Sequence, residues 1–193
     1  MGAKKISNIS EYQLNQLFNS YWSYMSEASF ESIKFCENLN TSDFIKFISL
    51  RNHKSRGSDV EIRLMIKNEW EKIKRSSESG DLLDDSQKKV EVKSSIITPN
   101  RGSRVTLRGF RKWEKVDYYT IVIIDVSKFK EEPTFYIYKI EPNLITPENG
   151  FTPDNQSKKA RAGNINISVG ISFNIGDSTF KKWDKYREKK INF

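Results

Sequence analysis

The chain has 193 residues, of which 36% are hydrophobic and 12% aromatic, enough for one folded domain with its own core. Its single cysteine, Cys36, excludes an internal disulfide framework and favours a reducing, cytoplasmic location. No apolar run is long enough to cross a bilayer and the N-terminus lacks a signal-peptide core, so we expect no membrane partner. The formal net charge of +8, from 33 Lys and Arg against 25 Asp and Glu, instead indicates an acidic partner such as nucleic acid.

The first part of the chain is predicted to be helical. Apolar residues recur at helical spacing in residues 11–24 and 29–39. A third helix is expected over Phe44–Leu50, with Ser42 or Asp43 as its N-cap. These helices would form an N-terminal region of the domain.

Residues 58–75 carry two competing patterns. A short stretch alternates like a strand, but the helical repeat runs longer and Ser58 or Asp59 can cap it. We therefore predict a helix that contains Glu61.

The middle of the chain predicts a β-hairpin followed by a crossover. Asp81–Leu83 and Lys89–Ile97 read as strands joined by a polar turn. Apolar residues spaced three apart predict a basic helix over residues 104–116. Tyr118–Val126 is a nearly continuous apolar run, typical of a central strand covered on both faces. A strand, a helix and a buried strand in this order predict that part of the sheet is parallel.

The last part of the chain predicts two more strands and a helix. Phe135–Ile140 reads as a strand, and Ile165–Ile175 alternates strictly between apolar and small polar residues. A Lys-rich helix closes the chain. The expected fold is a single α/β domain over residues 1–193, with a mixed central β-sheet flanked by helices. Its parts would be N-terminal helices (1–57), a core (58–140) and a C-terminal strand and helix region (141–193).

Two acidic residues and a lysine in the predicted hairpin suggest a metal-dependent catalytic site. Residues two apart on a strand project from the same face, so Glu91 and Lys93 should point together while Val92 enters the core. An aspartate on the partner strand, Asp81, would bring a second carboxylate, and Asp84 or Asp85 are alternatives for that role. Two carboxylates suit Mg²⁺, which completes its shell with waters and phosphate oxygens. A lysine alongside can orient and deprotonate an attacking water.

This pattern resembles a known motif. Gly80-Asp81, with Glu91-Val92-Lys93 ten and twelve positions after the aspartate, is similar to the PD-(D/E)xK motif of nucleases, with glycine in place of the proline. The Arg-rich segment and KVDYYTIVIID that follow resemble what many type II restriction endonucleases carry there. The likeness covers roughly residues 58–140. It implies that Asp81 and Glu91 bind the metal, that Lys93 orients water and that Glu61 supports them.

The resemblance also implies a fold and an activity. It suggests a restriction-endonuclease-like core and a Mg²⁺-dependent type II restriction enzyme, with Mn²⁺ able to substitute. Such an enzyme hydrolyses double-stranded DNA to 5′-phosphate and 3′-hydroxyl ends, usually as a homodimer. The alternatives are a repair or junction nuclease with the same core and a non-catalytic DNA-binding protein.

Basic side chains supply candidate DNA contacts. Arginine binds phosphates or guanine edges, and asparagine pairs with adenine. The candidates are Arg101, Arg104, Arg108, Arg111, Lys158, Lys159, Arg161 and Asn164, with Asn166 as an alternative to Asn164.

The sequence lacks the residues that several other catalytic and cofactor-binding sites need. A single histidine, His53, does not suffice for the nuclease mechanisms that depend on several histidines. One histidine and one cysteine also make a zinc site improbable. No glycine-rich phosphate loop is present, so we expect no nucleotide cofactor.

Overall fold

The computed structural model describes residues 39–50, 53–73, 80–98, 102–111, 115–127, 133–153 and 168–193. The predicted helices over residues 11–24 and 29–39 lie outside this part of the chain, except for the last residue of the second. Three α-helices and eight strands occur in the described residues. In chain order they are α1 (Thr41–Leu50), α2 (His53–Asn68), β1 (Glu71–Lys72), β2 (Leu82–Leu83), β3 (Lys89–Ile97), β4 (Arg104–Phe110), β5 (Tyr118–Asp125), β6 (Thr134–Ile140), β7 (Thr152–Pro153), β8 (Val169–Asn174) and α3 (Ser178–Trp183).

Five strands form a large mixed sheet in the order β1-β2-β3-β5-β6. β3 and β5 pair in parallel from Val90↔Tyr118 to Ile97↔Asp125, and the other neighbours pair antiparallel. The predicted mixed α/β fold is thus confirmed, as are the hairpin and the central strand. Seven of the eight β5 residues are buried, as expected of a strand covered on both faces.

The second sheet overturns the predicted helix over residues 104–116. Its order is β4-β8-β7, and β4 occupies the position where the helix was expected. Gly109, with a φ of 74°, lies in a bulge where the pairing shifts between Leu107 and Phe110. The extra residue puts both apolar side chains on the buried face although they are three apart. That spacing imitates a helical repeat, which is why the prediction was wrong.

Each face of the large sheet has its own core. Val90, Val92 and Ile96 of β3 pack with α1 and α2 on one face. The odd-numbered residues of β3 point to the other face, where Ile97 joins a core shared with the small sheet and α3. Glu91 and Lys93 therefore lie on the side of the small sheet.

The helix ends differ from those predicted. α1 begins at Thr41, and Asn40 is its cap, because Asn40 Oδ1 accepts the Asp43 amide at 2.9 Å. The predicted caps Ser42 and Asp43 lie inside the helix. The second helix, expected over residues 58–75, is confirmed as a helix but has different bounds.

That second helix, however, runs from His53 to Asn68. Glu69 has a φ of 57°, which ends the helix, and the next residues become the edge strand β1. Side-chain periodicity did not reveal this backbone reversal.

The C-terminal elements agree with the sequence pattern. β8 covers Val169–Asn174 within the predicted strand, whose residues 165–167 lie outside the described part. α3 begins after Asp177, whose carboxylate accepts the Phe180 amide at 2.8 Å. Among the described helices, none combines the length and apolar character needed to cross a membrane.

Candidate active site

The hairpin holds Asp81 against the β3 backbone. The Asp81 amide donates to the Val90 carbonyl at 2.8 Å, and Asp81 Oδ2 accepts the Val92 amide at the same distance. These two bonds bracket Glu91 in the sequence. The carboxylate is thus fixed beside the backbone of the second candidate ligand.

Gly80 has a backbone conformation that proline cannot adopt. Its φ is 76°, a conformation closed to proline, whose ring holds φ near about −65°. A Cβ at this position would lie 2.9 Å from the Val90 carbonyl oxygen and 3.1 Å from Val116 Cγ1. The glycine lets the chain turn tightly and place Asp81 close to β3.

Glu91 and Lys93 form an ion pair on the face predicted for them. Lys93 Nζ donates to Glu91 Oε1, and the two side chains are 18% and 13% exposed, respectively. Val90 and Val92 are buried on the opposite face. The pair thus lies in a partly enclosed place, where charge interactions are stronger than at an open surface.

Asp84 has a structural role in the hairpin turn. Its Oδ1 accepts the Ser86 and Lys88 amides at 2.9 and 2.8 Å, and its Oδ2 accepts the Tyr118 hydroxyl at 2.8 Å. Burial alone would raise the pKa of Asp84, but these hydrogen bonds outweigh it and hold the pKa below its ordinary value. Among the candidate ligands Asp81, Asp84 and Asp85, Asp81 is the one whose carboxylate accepts a backbone amide next to Glu91, that of Val92.

Glu61 lies away from this group. It belongs to α2, which packs through Val60 and Leu64 against the face of the large sheet opposite Glu91 and Lys93. The structure therefore brings together three of the four predicted catalytic residues and places Glu61 across the sheet.

The donor set fits a hard divalent cation. No group of three or more His, Cys, Asp or Glu suited to a metal occurs in the described ranges. Asp81 and Glu91 would instead supply two carboxylates, and Mg²⁺ takes one or two together with waters and phosphate oxygens. The oxygen chemistry suits Mg²⁺ or Mn²⁺ and not a thiophilic metal.

The candidate DNA contacts fall into two groups. Arg104 and Arg108 are exposed on the outer face of β4, and Arg111 is exposed just after it. The Arg111 carbonyl accepts the Tyr119 hydroxyl at 3.0 Å, which ties this turn to β5. The remaining candidates, Arg101, Lys158, Lys159, Arg161 and Asn164, lie outside the described residues, as does the alternative Asn166.

Sequence reasoning missed the residues that share a face with Arg104. Thr106, Ser172 and Asn174 are exposed beside it on the small sheet. Their signal was the alternation of polar and apolar residues in both strands, which the helical interpretation of β4 concealed.

A polar recess of about 420 Å³ was also not foreseen. It opens at the end of the large sheet, and its lining includes Lys67, Asp84, Tyr118, Lys139, Glu188 and Lys190. Lys139 Nζ lies 4.0 Å from the centroid of the Tyr118 ring, a cation–π contact. This lining mixes both charges and includes none of the residues Asp81, Glu91 and Lys93.

Comparison with known proteins places the chain in no family. No protein-family model matches it, and no curated protein matches it either.

Proposed function

We propose that this protein is a Mg²⁺-dependent DNA endonuclease, most like a type II restriction enzyme. The observation that carries the proposal is the juxtaposition of Asp81, Glu91 and Lys93 on one hairpin. Asp81 bonds the amide between the other two residues, while Lys93 contacts Glu91 directly. Two carboxylates can hold a divalent ion and a lysine beside them can act on its bound water, a combination suited to metal-assisted phosphodiester hydrolysis.

Each residue has a separate task in this proposal. Asp81 and Glu91 would hold the ion, which would lower the pKa of a bound water and neutralise charge developing on the phosphate. Mn²⁺ serves in place of Mg²⁺. Lys93 orients the attacking water and, as the neutral amine, accepts its proton, and the Glu91 carboxylate stabilises the ammonium group that results. The parallel pairing of β3 with β5 keeps Glu91 and Lys93 in fixed register, opposite Tyr119 and Ile121.

The substrate in this proposal is double-stranded DNA, and the products carry 5′-phosphate and 3′-hydroxyl ends. Exposed arginines of β4 offer cations for the DNA backbone. A homodimer would present two such sites to a palindromic sequence. No nucleotide cofactor takes part, and the cytoplasm is the proposed location.

The test compares Lys93→Ala with Lys88→Ala, which changes an exposed lysine in the turn of the same hairpin. Lys93→Ala should lower the rate of plasmid cleavage in Mg²⁺ by about 10²–10⁴-fold, because it removes the proton-transfer group. Duplex affinity should stay near that of the wild type, and Lys88→Ala should cleave normally.

The products distinguish the alternatives. Discrete bands from a mixed-sequence plasmid support a restriction enzyme, whereas cleavage confined to branched DNA supports a junction nuclease. Binding without any cleavage in Mg²⁺ or Mn²⁺ would identify a non-catalytic DNA-binding protein. Cleavage by Lys93→Ala at the wild-type rate would remove Lys93 from the mechanism.

A further inference from the structure

We propose that the outer face of the small sheet reads base pairs in the major groove of duplex DNA. This reading face consists of Arg104, Thr106 and Arg108 on β4 with Ser172 and Asn174 on β8. The inference deepens the proposed nuclease function by naming how its substrate is recognised, and it rests on that function.

The two strands present these side chains together. Arg104 pairs with Asn174 and Thr106 with Ser172 in the antiparallel register, and all four residues are exposed. The intervening residues enter the core beneath the sheet; they are Val105, Leu107, Ile171 and Phe173. The major groove admits a two-stranded β-ribbon, and side chains on its outer face then reach the base edges.

Hydroxyl groups hold Arg104 in place. Arg104 Nε donates to Ser172 Oγ at 3.3 Å, and Ser172 Oγ donates to the Val105 carbonyl at 3.1 Å. Because Ser172 has only one proton, Thr106 Oγ1 must donate in its 2.9 Å contact with Ser172. The bond to Arg104 uses Nε, so it leaves the two terminal nitrogens as a fork that matches N7 and O6 of guanine.

Gly170 lets the second arginine lie across the ribbon. A Cβ at Gly170 would lie 2.8 Å from the Leu107 carbonyl oxygen and 3.5 Å from Arg108 Cγ. Any larger residue would push the Arg108 stem or the β4 backbone outward. Arg104 and Arg108 are four strand residues apart, about 13 Å, which corresponds to roughly four base-pair steps.

The charge of the face fits a polyanion. None of the three strands of the small sheet contains an Asp or Glu, although the whole chain has 25. Asp177, just beyond β8, is engaged by the Asn174 and Phe180 amides. The face therefore carries two cations and neutral hydrogen-bonding groups.

The same chemistry favours duplex over single-stranded nucleic acid. Proteins that bind single strands stack bases on exposed aromatic rings. The aromatic residues of β4 and β8, Phe110 and Phe173, are buried. Arginine, asparagine and hydroxyl side chains are instead the groups that hydrogen-bond base edges within a groove.

The experiment selects bound sequences from a randomised duplex library in Mg²⁺, using the Lys93→Ala background to prevent cleavage. Arg104→Lys keeps the charge and removes the bidentate fork, and Asn174→Ala removes one amide. Lys190→Ala is the control, because this exposed lysine lines the recess beside α2 on the other side of the large sheet.

Arg104→Lys should lower discrimination at one base pair by about 5- to 150-fold, with an unchanged slope of log affinity against log salt. Asn174→Ala should relax a different position, near the first because the two residues are paired. Lys190→Ala should select the wild-type sequence.

Several outcomes would overturn the inference. They are an unchanged selected sequence in both reading-face variants, an equal loss of affinity for all duplexes, and no selected sequence in the parent protein. If the parent selects a sequence that Arg104→Lys relaxes, while the wild type cleaves no DNA, the reading face stands and the nuclease proposal fails. If the wild type cleaves DNA at specific sites and Arg104→Lys does not change that specificity, the nuclease proposal stands and the reading face is wrong.

Discussion

Two buried tyrosines show that the contribution of a hydroxyl group to folding stability depends on whether it has a hydrogen-bond partner. The Tyr118 hydroxyl donates to the Asp84 carboxylate at 2.8 Å, in a buried position. The Tyr138 hydroxyl is also buried but has no hydrogen-bond partner among the described residues. A buried polar group without a partner costs stability, whereas a bond to a charged acceptor contributes to it.

The two matching Tyr→Phe substitutions should therefore act in opposite directions. Tyr118→Phe should lower the free energy of unfolding by about 2 kcal/mol, because it takes a donor from a buried carboxylate. Tyr138→Phe should raise it by about 1 kcal/mol, since it removes an unsatisfied hydroxyl and keeps the ring. Urea denaturation of both variants measures the pair, and a loss of stability in Tyr138→Phe would contradict the assignment.

The Asp84 carboxylate should make part of the stability depend on acid. Its pKa is held below the ordinary value in the folded state, so its contribution is present above the unfolded-state pKa of about 3.9. The contribution is lost as pH falls from there through the folded-state pKa. The stability difference between wild type and Asp84→Asn should thus be largest at neutral pH and shrink below about pH 4. Denaturation curves from pH 7 to pH 3 test this expectation. A stability difference between wild type and Asp84→Asn that stays constant over this range would contradict it.

At the scale of elements, the β2–β3 hairpin depends on one glycine. Gly80 combines a positive φ with close contact to the Val90 carbonyl, whereas Gly102 has a positive φ of 59° and nothing within 4 Å of a Cβ. Comparing the two separates backbone strain from steric contact.

We expect Gly102→Ala to cost about 1 kcal/mol of stability, from backbone strain alone. Gly80→Ala should cost about 3 kcal/mol, because the added methyl group also pushes the start of the hairpin away from β3. Thermal and chemical denaturation measure both costs, and equal costs would show that the close approach to Val90 is unimportant. In the proposed nuclease, Gly80→Ala should also slow cleavage, since it displaces Asp81.

For the whole molecule, the last residues join α1 and α2 to the large sheet. The Phe193 ring lies 5.5 Å from Phe44 on α1 and 5.4 Å from Phe135 on β6, between centroids. The Phe193 carbonyl accepts the Thr41 hydroxyl at 2.9 Å. Asn192 exchanges two hydrogen bonds with Asn68 at the end of α2, of 2.7 and 2.9 Å. The C-terminal residues thus close one side of the core.

Phe193→Ala should lower the free energy of unfolding by about 3 kcal/mol, because it empties a buried aromatic position between a helix and the sheet. Lys190→Ala, an exposed change three residues earlier, should stay within about 0.5 kcal/mol of wild type. Equal stability of Phe193→Ala and Lys190→Ala in urea would show that the C-terminal contact contributes little.

Local patterns in the sequence determined several elements of this protein. The nearly continuous apolar run of Tyr118–Val126 predicted a central strand, because such a run is typical of a strand covered on both faces, and β5 occupies Tyr118–Asp125. The polar turn after Leu83 specified the hairpin. Alternation along β3 placed Glu91 and Lys93 on one face, since successive strand residues point to opposite sides.

Tertiary structure decided what depends on partners distant in the sequence. β4 is a strand because it pairs with β8, whose Ser172 lies 66 residues from Thr106, and its bulge disguised the alternation. Asp84 became a structural residue because the Tyr118 hydroxyl, 34 residues away, reaches it. Position 80 has no room for a side chain, because the Val90 carbonyl of β3 would lie 2.9 Å from a Cβ there. Periodicity reports which side of an element is buried, whereas long-range pairing determines what buries it, and only the folded chain supplies those partners.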